Sequence, residues 1–294
     1  MKASTAQPYP WTPGTAEWIE GNRAYLSVVF SWDLAAAYAR AAWHRSLGRQ
    51  VFAGGPAVKL QPQALADVAQ VNGIPIDALP HHNAHATFTT RGCIRRCAFC
   101  AVPRIEGEFR ELPVWRRNPV VCDNNLLASS RTHFDRVIDS LKGLKGVDFN
   151  QGLDARLLTK HHATRIAELD LHKVRLAWDH VRDETNVHDA IWTLRRAGIT
   201  KKQIRVYVLF GFDDTPEDAL YRCHKLKSEW GIDPNPMRFQ PLDALEKNKY
   251  VAPGWSDTQL RNMSRYWYRT RWLGAIPFEE YKRAPAQKPW LRRD

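Results

Sequence analysis

The stretch GCIRRCAFC, residues 92–100, contains three of the five cysteines of this 294-residue chain. It follows directly on Ala86–Thr90, a run with the composition of a strand. Three thiolates on one loop can bind three corners of an iron–sulfur cubane, because thiolate is the natural ligand of such clusters. No fourth cysteine lies nearby in the sequence. An iron without a protein ligand can bind and activate a small molecule, by the logic that separates catalytic from structural zinc sites.

A regular alternation of strands and helices starts at this point of the chain. The predicted strands are Ala86–Thr90, Val120–Cys122, Val147–Asn150, Val174–Trp178, Ile204–Phe210 and Met237–Gln240. The predicted helices between them are Arg131–Lys142, Lys160–Leu169, Asp183–Ala197 and Pro216–Trp230. Such alternation predicts an α/β fold with a parallel sheet and right-handed crossovers. We expect a partial (β/α)6 TIM-like barrel, with a flat doubly wound sheet as the alternative, because periodicity does not separate the two.

Residues 1–85 predict a short N-terminal α/β extension to this core. The first twenty residues are rich in Pro, Thr and Gly and suggest an irregular lead-in. The elements expected after them are a strand, a helix, a second strand, a short helix and a connector, at Tyr25–Phe30, Asp33–Leu47, Val51–Pro56, Pro62–Val71 and Pro80–His85. The unit is too short for a complete nucleotide-binding domain.

Residues 86–245 form the expected core, and residues 246–294 form a helical C-terminal extension. Its helix begins at a capping box, Ser256–Gln259, and can end at Gly274. From residue 255 onward the extension has nine Lys or Arg, four Asp or Glu, and eight aromatic residues: Trp255, Tyr266, Trp267, Tyr268, Trp272, Phe278, Tyr281 and Trp290. Cations and rings together are the ingredients of a single-strand binding surface. We favour the alternative, in which Trp267 and its neighbours pack the helix onto the core while the arginines face water.

Composition and charge restrict the class of protein. The chain has a formal charge of +12 and a pI near 9.6, so its surface attracts polyanions, among which nucleic acids are the commonest. Its apolar runs are too short to cross a bilayer, and its start lacks the apolar core of a secretory signal. We therefore expect a cytoplasmic protein without membrane contact, in which a disulfide framework is not expected.

The CxxxCxxC spacing, with the aromatic Phe99 just before the last cysteine, resembles the signature of the radical S-adenosylmethionine (SAM) superfamily. The resemblance extends over roughly Ala86–Leu242. It implies that Cys93, Cys97 and Cys100 bind a [4Fe–4S] cluster and that Phe99 packs near the adenine of SAM. It further implies that the free iron chelates the amino and carboxylate groups of SAM, and that an electron donor such as flavodoxin or ferredoxin drives its cleavage to a 5′-deoxyadenosyl radical.

The same resemblance assigns SAM-holding roles to polar residues after the predicted strands. Ligands of parallel α/β folds bind beyond the carboxyl ends of strands, although Asp, Asn and Gly there are also ordinary turn residues. The residues assigned in this way are Asp123, Asn124, Gln151, Asp154, Arg156, Asp179 and Gly211.

Two segments are similar to those of radical SAM proteins that carry a cobalamin-binding domain. They are VFAGGPAV in the N-terminal extension and CAVPRIEGEFRELP directly after the cysteine loop. The chain departs from that pattern because it lacks a full Rossmann module. Its Asp170-x-His172 is followed by Arg175, where the cobalamin motif has glycine. We therefore expect a vestigial or structural extension and not a cobalamin site.

Other functions remain open. The cysteine loop could bind zinc with a fourth ligand from His81, His82 or His85, as part of a non-enzymatic, metal-stabilised nucleic-acid-binding module. It could also bind a cluster that only transfers electrons. For the enzyme, the charge narrowly favours RNA or DNA as substrate over a small molecule or peptide. Cys122 and Cys223 lack partners at metal spacing and are expected to be small buried residues.

Overall fold

A computed structural model of the chain describes residues 9–71, 73, 77–268 and 276–283 and has a mixed α/β architecture. Its strands are β1 (Thr15–Glu20), β2 (Arg23–Val28), β3 (Gln50–Gly54), β4 (Ala86–Thr87), β5 (Thr90–Arg91), β6 (Arg110–Glu111), β7 (Val120–Val121), β8 (Val147–Leu153), β9 (Leu171–Ala177), β10 (Ile204–Phe210) and β11 (Asp233–Arg238). Its helices are α1 (Leu34–Ser46), α2 (Pro56–Leu60), α3 (Leu79–His82), α4 (Val102–Ile105), α5 (Arg131–Leu141), α6 (Lys160–Ala167), α7 (Glu184–Arg196), α8 (Pro216–His224), α9 (Asp257–Tyr268) and α10 (Phe278–Arg283).

Six parallel strands form the central sheet, in the order β4-β7-β8-β9-β10-β11. Each strand pairs with the next strand of this sheet along the chain, so the order never reverses. A doubly wound sheet requires a reversal of strand order, and this alternative is therefore wrong. The α/β class and the parallel sheet are confirmed. Within the described residues the sheet is open, with β4 and β11 at its edges, and closure into a barrel stays a prediction.

The alternation of side chains along β10 shows how the sheet is built. Four residues of the run IRVYVLF are buried in the main hydrophobic core, namely Ile204, Val206, Val208 and Phe210. The residues between them are half-buried on the opposite face, where Tyr207 and Leu209 line a cavity. Because successive side chains of a strand point to opposite faces, one strand serves both the core and the cavity.

The N-terminal extension has its own three-stranded sheet and its own apolar cluster. β2 and β3 are parallel with α1 between them, as predicted, while β1 pairs antiparallel with β2. The expected irregular lead-in is thus wrong from Thr15 onward. The strand signal in the sequence was weak because β1 is an edge strand with mostly half-exposed or exposed residues. Trp18 of β1 stacks on Tyr25 of β2 with ring centroids 5.2 Å apart.

The helix predicted over Pro62–Val71 is also wrong. Only a 3-10 turn, Pro62–Ala64, forms there. The backbone of Gln70 instead hydrogen-bonds to β3, donating to Val51 O at 2.8 Å and accepting from Ala53 N at 2.9 Å. A bridge to the sheet edge therefore replaces the helical hydrogen bonds. The expected connector at Pro80–His85 contains the end of the short helix α3.

Two strands of the core differ from their predicted bounds. The predicted strand Ala86–Thr90 divides into β4 and β5, because β5 leaves the sheet to pair antiparallel with β6. The last strand is Asp233–Arg238 and lies earlier than the predicted Met237–Gln240. Pro234 and Pro236 argue against a central strand, but an edge strand tolerates residues that lack an N–H donor. β11 is such an edge.

The ends of α8 and of its continuation follow ordinary capping signals. Thr215 caps α8 with a capping box to Asp218. A π-helical turn, Lys225–Trp230, then continues α8 up to Gly231, which adopts the left-handed conformation at φ 68°. None of the helices in the described ranges is long and apolar enough to cross a membrane.

The described part of the C-terminal extension packs onto the core. Leu260, Met263 and Trp267 of α9 are at most 4% exposed, while Arg261 and Arg265 are exposed. This confirms the packing interpretation for α9. The predicted helix end at Gly274, and the rings of Trp272 and Trp290, lie outside the described residues.

Candidate active site at the carboxyl ends of the strands

A cavity of about 810 Å³, which we call the thiol cavity, lies beside the carboxyl ends of β8, β9 and β10. Its volume is typical of small-molecule sites. Nine of the eleven sequence-predicted site residues line it: Cys93, Cys97, Phe99, Cys100, Asn124, Gln151, Asp154, Arg156 and Asp179. The fold therefore brings together residues that are up to 86 positions apart in the sequence.

Gly92 and Glu106 fix the start of the cysteine loop. Gly92 has φ 74°, and a Cβ at this position would lie 2.1 Å from Glu108 O, so only glycine fits. Its N–H donates to Glu106 Oε2 at 2.8 Å, and Asn124 Nδ2 donates to the same oxygen at 2.8 Å. Glu106 thereby ties the loop to the end of β7.

The three thiols are free, and each is half-buried. Cys93 Sγ accepts hydrogen bonds from Arg95 N at 3.3 Å and from Asn125 Nδ2 at 3.7 Å. Burial, with a smaller contribution from Asp179, raises the pKa of both Cys97 and Cys100. A bound metal reverses this preference, because its positive charge replaces the proton of a coordinating thiol.

Within the described ranges, no group of three or more His, Cys, Asp and Glu side chains is arranged to hold a metal ion. Such an arrangement would hold a single ion. Ligands at different corners of a cubane contact different irons, so they need not converge on one point. The donor set of three free thiols on one loop fits a cluster in chemical type.

His81, His82 and His85 lie elsewhere, and none of them lines the thiol cavity. His82 is buried and its Nε2 is 2.9 Å from Ser27 Oγ. The ring of His81 stacks on Trp18 at 3.8 Å, and that of His85 lies 4.8 Å from the Tyr9 ring. Each histidine thus has a structural contact in the N-terminal part of the protein.

Asp154 joins two arginines of the cavity wall. Its Oδ2 accepts from Arg95 Nε at 2.9 Å and its Oδ1 from Arg156 Nε at 2.7 Å. Burial alone would raise the pKa of Asp154, but the two guanidinium groups outweigh it and hold the pKa below its usual value. Asp154 is therefore ionised at neutral pH. It holds in place Arg95, which lies between Cys93 and Cys97 in the sequence.

Arg222 of α8 positions the wall beside Asp179. Its guanidinium is fully buried, and Nη1 donates to Trp178 O at 2.8 Å, to Asp179 O at 2.8 Å and to Leu209 O at 2.9 Å. Its Nη2 forms an ion pair with the buried carboxylate of Asp214. Burial raises the pKa of Asp179, although the charge of Arg222 opposes that shift. One side chain thus joins the ends of β9 and β10.

Two predicted site residues do not line the cavity. Asp123 is 3% exposed, and both of its oxygens accept hydrogen bonds from Thr89, one from the backbone N–H at 2.6 Å and one from the hydroxyl. It joins the ends of β4 and β7. Gly211, at φ 73°, turns the chain beneath α9, where a Cβ would lie 2.7 Å from Leu260 Cδ2.

Several cavity residues were not predicted from the sequence. Phe212 forms an edge-to-face pair with Phe99, with centroids 5.6 Å apart, and makes an aromatic wall. Tyr207 donates to Asn150 O at 3.0 Å and also lines the cavity. The period-two pattern of β10 contains the signal for Tyr207, since it alternates with the buried valines. The side chains of Arg182, Asp183 and Asp213 also line the cavity, and they come from loops whose direction no periodicity predicts.

Cys122 and Cys223 are 3% and 0% exposed, as predicted. Burial raises the pKa of each thiol to about 12. They are packing residues of the fold.

Comparison with known proteins assigns neither a family nor a function to the chain. The chain matches no protein-family model, and a search of curated proteins finds no match to it.

Proposed function

We propose that the protein is a radical SAM enzyme in which Cys93, Cys97 and Cys100 bind a [4Fe–4S] cluster with one iron left for SAM. The observation that carries the proposal is the placement of three free thiols in one cavity at the carboxyl ends of a parallel sheet. When bound, the cluster supplies the electron that cleaves SAM into methionine and a 5′-deoxyadenosyl radical, which abstracts a substrate hydrogen.

The charges of the cavity suit a zwitterionic ligand such as SAM. Arginine and aspartate side chains line the same space: Arg95, Arg156, Arg182, Asp154, Asp179, Asp183 and Asp213. Guanidinium groups recognise a carboxylate, and carboxylates or amides accept hydrogen bonds from an ammonium. Asn124 and Gln151 supply amides on the same wall.

The aromatic wall suits the adenine. Phe99 and Phe212 meet edge to face, and Phe212 also lies 4.7 Å from the ring of Phe239. A flat heterocycle gains both apolar burial and ring contacts there. In this proposal Phe99 contacts adenine, as the resemblance of the loop implies.

The strand order supports a partial barrel. All crossovers run from one strand to the next in the same direction, and right-handed crossovers then place the helices on one face. The other face is left for the cavity, which is lined by Ala177 of β9 and by Tyr207 and Leu209 of β10. We propose a cytoplasmic enzyme with a partial (β/α)6 core that receives its electron from a donor such as flavodoxin or ferredoxin.

Anaerobic purification with iron and sulfide analysis, followed by a reductant-dependent assay for 5′-deoxyadenosine, tests the proposal. The wild type is expected to bind iron and sulfide and to release 5′-deoxyadenosine. Cys97→Ala is expected to do neither. Cys223→Ala is the matched control, because it removes a thiol that is buried outside the cavity.

The competing functions give different results in the same experiment. Zinc without sulfide would indicate a metal-stabilised binding module. A cluster with no 5′-deoxyadenosine would indicate electron transfer alone. Either result would overturn the proposed enzyme.

A further inference from the structure

A concave, strongly basic surface lies at the carboxyl end of β11. Its volume is about 520 Å³, and its lining includes five cations and one acid. We call the five cations the cationic cleft: Arg238, Lys247, Lys249, Arg261 and Arg265. The acid, Asp257, is already paired with Arg261 at 2.9 Å and with Arg238 at 3.3 Å. A strong positive excess is therefore left for an anionic partner.

Arg238 is a fixed element of the cleft. Its side chain is 5% exposed, and its Nη2 donates to Tyr250 O at 2.7 Å. Its buried Nε has no hydrogen-bond partner among the described residues. A guanidinium held in this way is pre-organised for an anion, because little side-chain entropy remains to be lost on binding.

The cleft adjoins the thiol cavity through one strand. Met237 lines the thiol cavity, and its neighbour Arg238 lines the cleft. Successive residues of a strand point to opposite faces. The cleft and the thiol cavity therefore lie on opposite sides of the edge strand β11.

A pair of stacked rings lies next to the cleft. Lys247 Nζ is 5.7 Å from the Trp32 ring, and Phe30 stacks on Trp32 with centroids 4.6 Å apart and planes at 11°. Phe30 is 43% exposed. Ser31, between the two rings, donates to Ala244 O at 2.6 Å and so fixes the rings to the loop that precedes the cleft.

Phe30 also lines a second cavity, of about 720 Å³, between the N-terminal extension and the core. Trp11 and Phe88 lie in the same wall. This second cavity shares Val102, Asn124, Asn150 and Gln151 with the thiol cavity. The two cavities therefore adjoin, and Phe30 connects the second cavity with the stacked rings beside the cleft.

We infer that this surface binds a single-stranded polynucleotide, with phosphates in the cationic cleft and a base on Phe30. Cations that follow a phosphate backbone beside rings that stack on bases are the physical requirements for binding single strands. An acidic peptide would use the cations but would leave the rings without a role. The inference deepens the proposed function and rests on it for the reaction that follows docking, whereas binding itself does not depend on that reaction.

The test measures fluorescence anisotropy of short labelled single-stranded RNA and DNA oligonucleotides with the anaerobically purified full-length protein. Arg261→Gln combined with Arg265→Gln removes two exposed cations of the cleft. If each neutralises one phosphate, affinity at 0.1 M salt falls about 25-fold, and the slope of log K against log salt becomes shallower by about 1.4. The matched control is Arg196→Gln with Lys202→Gln, which removes two exposed cations near the amino end of β10.

A second pair of variants tests the rings. Phe30→Ala is expected to weaken binding about ten-fold, as the loss of one stacked base does. Trp192→Ala removes an aromatic side chain of similar exposure, 44%, on α7 and should leave affinity unchanged.

The outcomes separate this inference from the proposed function. Absence of oligonucleotide binding, equal affinity of the cleft variant and its control, or equally effective competition by polyglutamate would each overturn the inference. Specific binding by a protein that makes no 5′-deoxyadenosine would support the inference while refuting the proposed enzyme. SAM cleavage without oligonucleotide binding would support the proposed enzyme while refuting the inference.

Discussion

Replacing Arg222 by methionine should destabilise the protein more than almost any other single change outside the apolar core. The guanidinium is fully buried and donates to three main-chain carbonyls from two neighbouring strand ends, in addition to its ion pair with Asp214. Methionine fills a similar volume but donates nothing. The carboxylate of Asp214, 6% exposed, would lose its compensating charge.

Breaking a buried ion pair by removal of one partner costs about 3–5 kcal/mol, because the remaining charge stays buried. We expect Arg222→Met to lower the free energy of unfolding by about this amount. Adding Asp214→Asn should restore part of the loss, because the amide carries no charge. The double variant should therefore be less destabilised than the sum of the single changes.

The loss should depend on pH in a defined direction. Burial raises the pKa of Asp214 in the wild type, although Arg222 opposes the shift. Removing Arg222 raises this pKa further, so the folded state of the variant binds the proton more tightly than the unfolded state does. The penalty is then largest at neutral pH and shrinks as the pH falls below the folded-state pKa of Asp214.

Urea denaturation followed by fluorescence of the twelve tryptophans measures these free energies. The wild type and the Asp214→Asn variant are measured in parallel at several pH values. A loss below about 1 kcal/mol, the size of one ordinary hydrogen bond, would refute this account of Arg222. So would a loss that grows as the pH falls.

Three further predictions concern the cysteine loop, the cavity and a helix cap. Gly92→Ala should abolish iron loading, because its Cβ would meet Glu108 O at 2.1 Å, whereas Gly107→Ala, with a similar φ but nothing within 4 Å, should retain iron as measured by metal analysis. Tyr207→Phe should lower the free energy of unfolding by about 1 kcal/mol, through loss of its hydrogen bond to a main-chain carbonyl; no change in a urea titration would contradict this. Thr215→Ala should cost about 1 kcal/mol by removing the cap of α8, and an unchanged melting temperature would count against it.

The sequence predicted the α/β class and most of the cavity because both depend on local patterns. Period-two and helical patterns identify the core strands, and the carboxyl ends of parallel strands meet at one edge. The resemblance of the cysteine loop assigned residues as distant as Cys93 and Asp179 to one site, and the common edge of the strands agrees with that assignment. The edge strand β11 was predicted too late in the sequence. Its prolines weaken the strand signal, although a strand at the edge of a sheet tolerates them.

The direction of single side chains could not be predicted. Asp123 and Asn124 are consecutive residues after a strand of only two residues, yet one is bound by Thr89 and the other lines the cavity. So short a strand establishes no alternation that would distinguish them. The contacts of Arg222 could not be predicted for another reason. Those with Trp178 O and Asp179 O join residues more than forty positions apart, and no spacing within α8 indicates them.

The proposed enzyme leaves one iron of its [4Fe–4S] cluster free for SAM. Electron paramagnetic resonance of the reduced protein, recorded with and without SAM, tests this most directly. If SAM binds the free iron, its addition should change the spectrum of the wild type, and Cys97→Ala should give no cluster signal. An identical wild-type spectrum with saturating SAM would mean that the fourth iron is closed to the cofactor, and the proposed chemistry would be contradicted.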